Sequence, residues 1–192
     1  MYITVEKPNK VSNTQVFILV NVIGGLFVLG SYISCLAAYP QYRMALWGGI
    51  DGNLRNVFSV SMLPAALGYL MFLYTMVFKS GTDVFGSNAL LGSYTPSIFC
   101  AVFLTASTIW MPATVIYIHT TQRLWWNIAT MSLWVTASSL IALLGLLGTT
   151  FGESIDWSSR QRYLAIVGLG YLAFHCTVLD AIIWASRFPR VD

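Results

Sequence analysis

The sequence contains very little charge. Only 9% of its 192 residues are Asp, Glu, Lys or Arg, and 57% are hydrophobic, whereas roughly a quarter of a typical soluble domain is charged. A soluble fold with so few charged side chains could not cover its surface, and the mean hydropathy of +0.70 agrees with this. The net charge of +3 is spread too thinly to form a basic patch. The composition argues against soluble enzyme scaffolds and nucleic-acid partners, and it predicts an integral membrane protein.

Cysteine and histidine are also scarce. The chain has three cysteines, Cys35, Cys100 and Cys176, which are far apart and form no CxxC motif, and it has two histidines. This pattern predicts neither a disulfide framework nor a zinc site. Phosphate-binding loops and nucleophile-elbow motifs are absent as well. We therefore predict no catalytic and no metal-ligating residues, and an enzyme is not the favoured interpretation.

Long hydrophobic runs are what the sequence has in abundance. A bilayer core of about 30 Å needs roughly 20 apolar residues at the rise of an α-helix. Five such runs occur, at about 16–39, 57–78, 97–118, 125–147 and 163–185. No small-residue cleavage site follows the first run, so we read it as a helix rather than as a signal peptide. The sequence thus predicts one all-α domain over residues 1–192, a multi-pass bundle of five transmembrane helices.

The segments between the runs say little about orientation. The link between the third and fourth runs is so short that these helices must form an antiparallel hairpin. Lys and Arg in short loops normally mark the cytoplasmic side, but here they divide equally. One side holds Lys7, Lys10, Lys79, Arg160 and Arg162, and the other holds Arg43, Arg55, Arg123, Arg187 and Arg190. The charge distribution therefore predicts no orientation.

Asp180 is the only formally charged residue inside a predicted span. A central Asp costs about 2.5 kcal/mol or more in a bilayer, so it requires a partner, protonation or a wet cavity. Because it lies near the end of the fifth span, His119 and Arg123 at the end of the third are expected at a similar depth. Two interpretations remain open: a ligand or proton site that includes Asp180 and His119, or a structural ion pair or helix cap near the interface.

His175 lies five residues before Asp180 on the same predicted helix. In an α-helix this spacing is a turn of about 140°, which places the two residues on different faces. His119 and His175 could supply a pair of haem ligands, but they are expected at different depths. An interhelical hydrogen bond is therefore the favoured interpretation of His175, and no cofactor is identified.

Small, polar and aromatic residues form stripes on the last three predicted helices. Pro112, which follows Trp110 and Met111, leaves the Thr108 carbonyl without its helical donor and predicts a kink or local opening. The stripes are Thr105, Thr108, Pro112 and His119; Asn127, Thr130, Trp134, Ser138 and Gly145; and Cys176, Asp180 and Trp184. They indicate either an amphipathic pocket between helices or ordinary close packing in a membrane.

The second half of the chain resembles the translocator protein family, also called the tryptophan-rich sensory proteins or peripheral benzodiazepine receptors. The matching features are Ile109, Trp110, Met111 and Pro112, a start of the fourth helix that contains Trp, and Tyr171, Leu172, Ala173, Phe174, Leu179, Asp180 and Trp184. Members of the family have five transmembrane helices. The resemblance implies a pocket for a sterol-like or tetrapyrrole-like ligand, lined by Trp110, Trp134, Asp180 and Trp184.

This sequence departs from the family pattern at several points. Asp180 stands where the family has Asn, and Phe174 stands where it has Trp. The stretch before Leu179 is about two residues shorter than in the family, and the first loop lacks the expected Trp-Pro segments. The similarity covers about half of the chain.

These features predict a protein that binds a small hydrophobic or amphipathic molecule between its helices. The candidate ligand-binding residues are Trp110, His119, Trp134, Asp180 and Trp184. Two alternatives remain: a small proton-coupled transporter, and an accessory subunit of a membrane complex that packs against partner helices or further copies of itself. An enzyme acting on lipid ranks last. Membrane lipid is the partner that every one of these alternatives shares.

Overall fold

The computed structural model describes residues 12–80, 92–149 and 159–189, and within these ranges the protein is helical with no strand. The α-helices are Asn13–Ala38 (α1), Gly52–Thr75 (α2), Thr95–Thr120 (α3), Arg123–Thr149 (α4), Ser159–Phe174 (α5) and Ala185–Arg187 (α6). A π-helical turn, Met76–Ser80, continues α2, and a longer π-helix, His175–Trp184, joins α5 to α6. The predicted all-α fold is confirmed. Lys7, Lys10 and Arg190, used in the charge comparison, lie outside the described residues.

Five helices in the described part of the chain are long and apolar enough to cross a membrane. They are Asn13–Ala38, Gly52–Lys79, Gly92–Thr120, Arg123–Thr149 and Tyr163–Arg187. Each overlaps one predicted span, and the largest differences are early starts at Gly52 and Gly92. Hydropathy detects only the apolar part of a helix, whereas the helical hydrogen bonds continue into polar residues at either end.

Local sequence signals explain where two of the helices begin and end. The hydroxyl of Ser12 accepts a hydrogen bond from the Gln15 backbone, and the Gln15 side chain accepts one from the Ser12 backbone at 2.9 Å, so α1 begins with a capping box. The helix α3 ends at Thr121, whose φ of 54° is left-handed. Only Gln122 separates Thr121 from α4, and α3 and α4 pack together along their lengths. The predicted hairpin is confirmed.

The five long helices contact one another in the order α1, α3, α4, α5 and α2. The row curves back on itself, because α1 meets α2 near the start of α1. There the rings of Phe17 and Phe72 lie 6.1 Å apart, edge to face, and the Tyr69 hydroxyl donates a hydrogen bond to the Asn21 side chain. The bundle is thus closed at this level.

Two glycines bring α2 and α5 into direct backbone contact. A Cβ atom on Gly68 would lie 2.3 Å from the Gly168 carbonyl oxygen, and one on Gly168 would lie 2.6 Å from the Gly68 oxygen. Such close approach is how small residues let membrane helices associate. A buried apolar cluster that includes Phe72, Leu140 and Leu169 surrounds this crossing. We call this part of the bundle the closed half.

The first loop, residues 39–51, folds over the other end of the bundle. Its Leu46 and Ile50 side chains are buried, and a Cβ on Gly49 would lie 2.4 Å from the Arg187 carbonyl oxygen. The Arg43 guanidinium donates to the Leu36 carbonyl oxygen at 2.8 and 2.9 Å, which ties the loop to the end of α1. We call this part of the bundle the loop half.

Candidate ligand site

Asp180 lies in the π-helix within the loop half. Its neighbours Leu179, Ala181 and Trp184 are all buried, yet 27% of the Asp180 side chain is accessible. Its carboxylate is within electrostatic range of the Tyr32 hydroxyl on α1. The Asp180 carboxylate is therefore not fully enclosed by its neighbours, and some accessible space remains beside it.

The side walls of this space are aromatic. The ring of Trp110 on α3 lies 5.8 Å from the Tyr32 ring and 5.3 Å from the Trp184 ring, and both pairs are edge to face. Tyr32, Trp110 and Asp180 are each partly exposed. We call the space beside Asp180, together with the neighbouring Tyr32, Trp110 and Trp184 side chains, the Asp180 cleft.

Polar groups of the cleft lack hydrogen-bond partners in the described part of the chain. The indole N–H of Trp110 is buried and has none. The Asp180 carboxylate accepts no hydrogen bond from any described residue, and the Nε2 atom of His175 lies 3.7 Å from its Oδ2 atom. Because polar groups inside proteins are almost always paired, these two groups are candidates for contacts with a ligand.

The π-helix corrects the expected geometry of His175. The five-residue spacing predicts that His175 and Asp180 lie on different faces, but that geometry holds only for an α-helix. In a π-helix the backbone hydrogen bonds join residues five apart, as in the bond from the Ala185 N–H to the Asp180 carbonyl. Residues 175 and 180 therefore share one face, and their side chains are neighbours.

His175 also connects the cleft to α2. Its Nδ1 atom lies 2.9 Å from the Ser61 hydroxyl, which lies 3.0 Å from the Tyr171 hydroxyl. Ser61 and Tyr171 line a groove of about 410 Å³ between α2 and α5. The four side chains Tyr171, Ser61, His175 and Asp180 form a continuous polar row from this groove to the cleft. The interhelical hydrogen bond expected for His175 is present.

Trp184 is held in place by the first loop. Its indole N–H donates to the Leu46 carbonyl oxygen at 2.9 Å, and its ring lies 4.8 Å from Phe188 and 5.8 Å from Trp126. These contacts fix one wall of the cleft through a hydrogen bond that depends on the fold of the loop. The N–H of Trp110, by contrast, has no hydrogen-bond partner among the described residues.

The structure brings Trp110, Asp180 and Trp184 together, but it places His119 and Trp134 elsewhere. The expectation that His119 or Arg123 reaches Asp180 is corrected. The Nδ1 atom of His119 lies 2.9 Å from the Tyr42 hydroxyl of the first loop, and no described ion pair joins Arg123 to Asp180. The chain after α3 turns toward the first loop, so depth in the membrane alone did not identify the partner.

Trp134 lies on the outer side of α4 and is 49% exposed. The other members of its stripe that face outward are Asn127, Ser138 and Gly145. The stripe on α4 therefore does not line a pocket shared with α3 and α5. A separate outer groove between α3 and α4, with a volume of about 490 Å³, is lined mainly by apolar residues such as Val102, Ile109 and Met131.

Most hydroxyls on α3 and α4 are bonded to their own helix. Thr108 donates to the Leu104 carbonyl at 2.8 Å, and Thr130 donates to the Trp126 carbonyl at 3.0 Å. The same i to i−4 bond is made by Ser107, Thr114, Thr120 and Ser139. These groups are satisfied locally, so the stripes contribute little polarity to any site. The helix α3 is continuous through Pro112, and the kink expected there stays a prediction.

Sequence reasoning missed Tyr32 and Tyr171 as neighbours of the site. Both lie within apolar runs, and neither spacing nor hydropathy distinguishes them from interfacial or packing tyrosines. No group of three or more His, Cys, Asp or Glu side chains that could hold a metal occurs among the described residues.

No family model, curated protein or solved structure matches the chain. The fold and the site define a class: a bundle of five helices of membrane-spanning length that encloses a cleft with aromatic walls and one carboxylate. The resemblance of the second half to the translocator protein family stays a prediction.

Proposed function

We propose that this chain is a multi-pass membrane protein that binds a small hydrophobic or amphipathic molecule in the Asp180 cleft. The observation that carries the proposal is an accessible carboxylate, without a hydrogen-bond partner among the described residues, between aromatic side chains from α1, α3 and the π-helix. Ligand sites are mostly apolar with a few convergent polar groups that set orientation. The cleft combines these two properties.

The chemistry of the cleft favours a particular polar end on the ligand. An ionised carboxylate only accepts hydrogen bonds, so a ligand hydroxyl, such as that of a sterol-like molecule, suits Asp180. The carboxylates of a tetrapyrrole-like molecule would be repelled by the same group, since juxtaposed like charges are costly. Of the two ligand classes that the resemblance implies, the sterol-like class is therefore the better supported.

Direct binding tests the proposal. The protein is reconstituted in phosphatidylcholine nanodiscs, and saturable binding of tritiated cholesterol and of protoporphyrin IX is measured against empty nanodiscs. We expect saturable binding that falls in a Trp110→Leu variant and is unchanged in Trp134→Leu, which removes an outward-facing Trp. Absence of saturable binding, or equal binding by both variants, would contradict a ligand site in the cleft. Constant co-purification with one partner chain and no small molecule would favour the accessory-subunit alternative.

A second candidate function, proton-coupled transport, rests on the polar row. Tyr171, Ser61 and His175 are linked by contacts of 3.0 and 2.9 Å, and His175 continues the row to Asp180. A row of hydroxyl and imidazole groups is the arrangement that proton relays in membranes use.

Proton flux in proteoliposomes, followed with trapped pyranine, tests this candidate. We expect flux in the wild type and its loss in Ser61→Ala. The matched control is Ser132→Ala, because Ser132 is equally buried but bonds only its own helix, at the Ala129 carbonyl. Equal flux in both variants would exclude the row as a relay.

A further inference from the structure

The charge balance of the Asp180 cleft points to a more specific ligand: we propose that the cleft takes an amphiphile carrying a protonated amine. This inference rests on the proposed function, because it names the ligand class of the same site.

No basic side chain of the described residues neutralises Asp180. Arg43 is bonded to the Leu36 carbonyl, and Arg55 is paired with Asp51 at 2.9 Å. The groups near the carboxylate are Tyr32 on α1 and His175 and Cys176 on the π-helix. His175 stays 3.7 Å away and already uses its other nitrogen for Ser61. An ionised carboxylate inside a bundle of this kind is stabilised by a compensating charge, and an ammonium group supplies one together with the missing hydrogen-bond donors.

The aromatic side chains of the Asp180 cleft suit a cation. An ammonium group is attracted to aromatic faces within about 6 Å of a ring centroid, most strongly to Trp and when desolvated. The rings of Tyr32, Trp110 and Trp184 follow one another at 5.8 and 5.3 Å, and Asp180 is in electrostatic range of Tyr32, so a group at the carboxylate has aromatic rings nearby. A neutral hydroxyl would gain the hydrogen bond but neither the charge pairing nor this attraction.

The surroundings of the cleft also bear on the apolar part of the ligand. Tyr32 and Trp110 pack against a cluster formed by Leu46, Met111 and Val115. The surroundings of the aromatic side chains beside the carboxylate are thus apolar, which favours a ligand with a hydrocarbon body. A metal cation fits less well, since the described residues form no group of three or more ligating side chains.

A matched pair of probes tests the proposal. One is the dansyl amide of 1,5-diaminopentane, which is a cation, and the other is the dansyl amide of 5-aminopentanol, which is neutral and of nearly equal size. Binding is followed by energy transfer from protein Trp to dansyl in phosphatidylcholine nanodiscs, where the lipid carries no net charge. We expect the amine to bind at least about tenfold more tightly than the alcohol, as truncation studies of buried charge pairs indicate.

Two variants identify the group responsible. Asp180→Asn keeps every Trp donor and nearly the same shape, so we expect it to abolish the preference for the amine. Asp51→Asn removes the same charge from an exposed position in the first loop, and we expect it to keep the preference.

The outcomes separate this inference from the proposed function. Equal binding of amine and alcohol, both lost in Trp110→Leu, would overturn the amine proposal and leave the ligand site standing. A preference for the amine that survives Asp180→Asn would also overturn it. If neither probe, cholesterol nor protoporphyrin IX binds saturably, both proposals fail.

Discussion

The two halves of the bundle are built in opposite ways. In the closed half, α2 and α5 touch backbone to backbone at Gly68 and Gly168, and apolar side chains fill the remaining space. In the loop half, large aromatic rings stand between the helices, and polar groups near Asp180 lack partners in the described part of the chain.

The contrast shows that one small chain can combine close helix packing with a region in which described polar groups lack partners. Small residues bring helices close enough to exclude everything else, whereas Trp and Tyr rings hold helices apart. Unsatisfied polar groups lower stability. Those in the loop half can persist because the close packing of the closed half offsets their cost. Substitutions in each half test whether the two halves differ in this way.

The largest effect is expected at the helix crossing. In Gly68→Ala the new methyl group would lie 2.3 Å from the Gly168 carbonyl oxygen, so α2 and α5 must separate. Overpacking of this kind costs about 3 kcal/mol. Thermal unfolding can be followed by thiol labelling of the buried Cys100 and Cys176, after Cys35→Ala removes the half-buried thiol.

The control is Gly145→Ala, because a Cβ at Gly145 meets no atom within 4 Å. We expect little change there. Equal stability of the Gly68 and Gly145 variants would show that the crossing does not secure the bundle.

A smaller effect is expected where the first loop meets the π-helix. Trp184→Phe keeps an aromatic ring but removes the donor to the Leu46 carbonyl, which costs about 1–2 kcal/mol because a buried acceptor loses its partner. Faster hydrogen exchange over residues 45–50 would report the loosened loop. Trp134→Phe, on the outer side of α4, should leave exchange in this segment unchanged, and equal exchange in both variants would contradict the expectation.

The opposite sign is expected at Asp180. In the ligand-free protein, Asp180→Asn removes a charge that has no hydrogen-bond partner among the described residues, so the free energy of unfolding should rise by about 1 kcal/mol. Asp51→Asn breaks only an exposed pair with Arg55 and should change it by less than about 0.5 kcal/mol. Loss of stability in Asp180→Asn would instead favour the structural interpretation of this carboxylate.

The smallest effect is expected at the edge of the loop half. Tyr42→Phe removes the hydrogen bond to His119 Nδ1, which is exposed, so the cost is about 0.5 kcal/mol. The ¹⁵N chemical shift of the His119 ring measures the loss directly. An unchanged shift would mean that the bond does not form in solution.

The sequence predicts the positions of the long helices, but it does not predict which neighbour each helix face contacts. Mean hydropathy locates every long helix because a bilayer requires about 20 apolar residues per crossing. It does not tell which neighbour each face meets, since lipid and protein interior are equally apolar. Trp134 and Trp184 look alike in the sequence, yet one faces outward and the other is buried.

The site depended on a change of helix type that the sequence did not signal. Asp180 was identified because a carboxylate in an apolar run is unusual at any register. Its neighbour His175 was placed on the wrong face because α-helical spacing was assumed across His175–Trp184. Tyr32 was missed because contacts between distant helices leave no local pattern.

The hydroxyls of α3 and α4 carry a consequence for insertion into the bilayer. Residues such as Ser107, Thr114 and Ser139 already donate to carbonyls of their own helices, and they retain this partner wherever the helix goes. A hydropathy scale counts each as polar, but a hydroxyl that arrives already bonded loses little when it leaves water. We therefore expect these two helices to insert into the bilayer more readily than the summed hydropathy of their residues indicates.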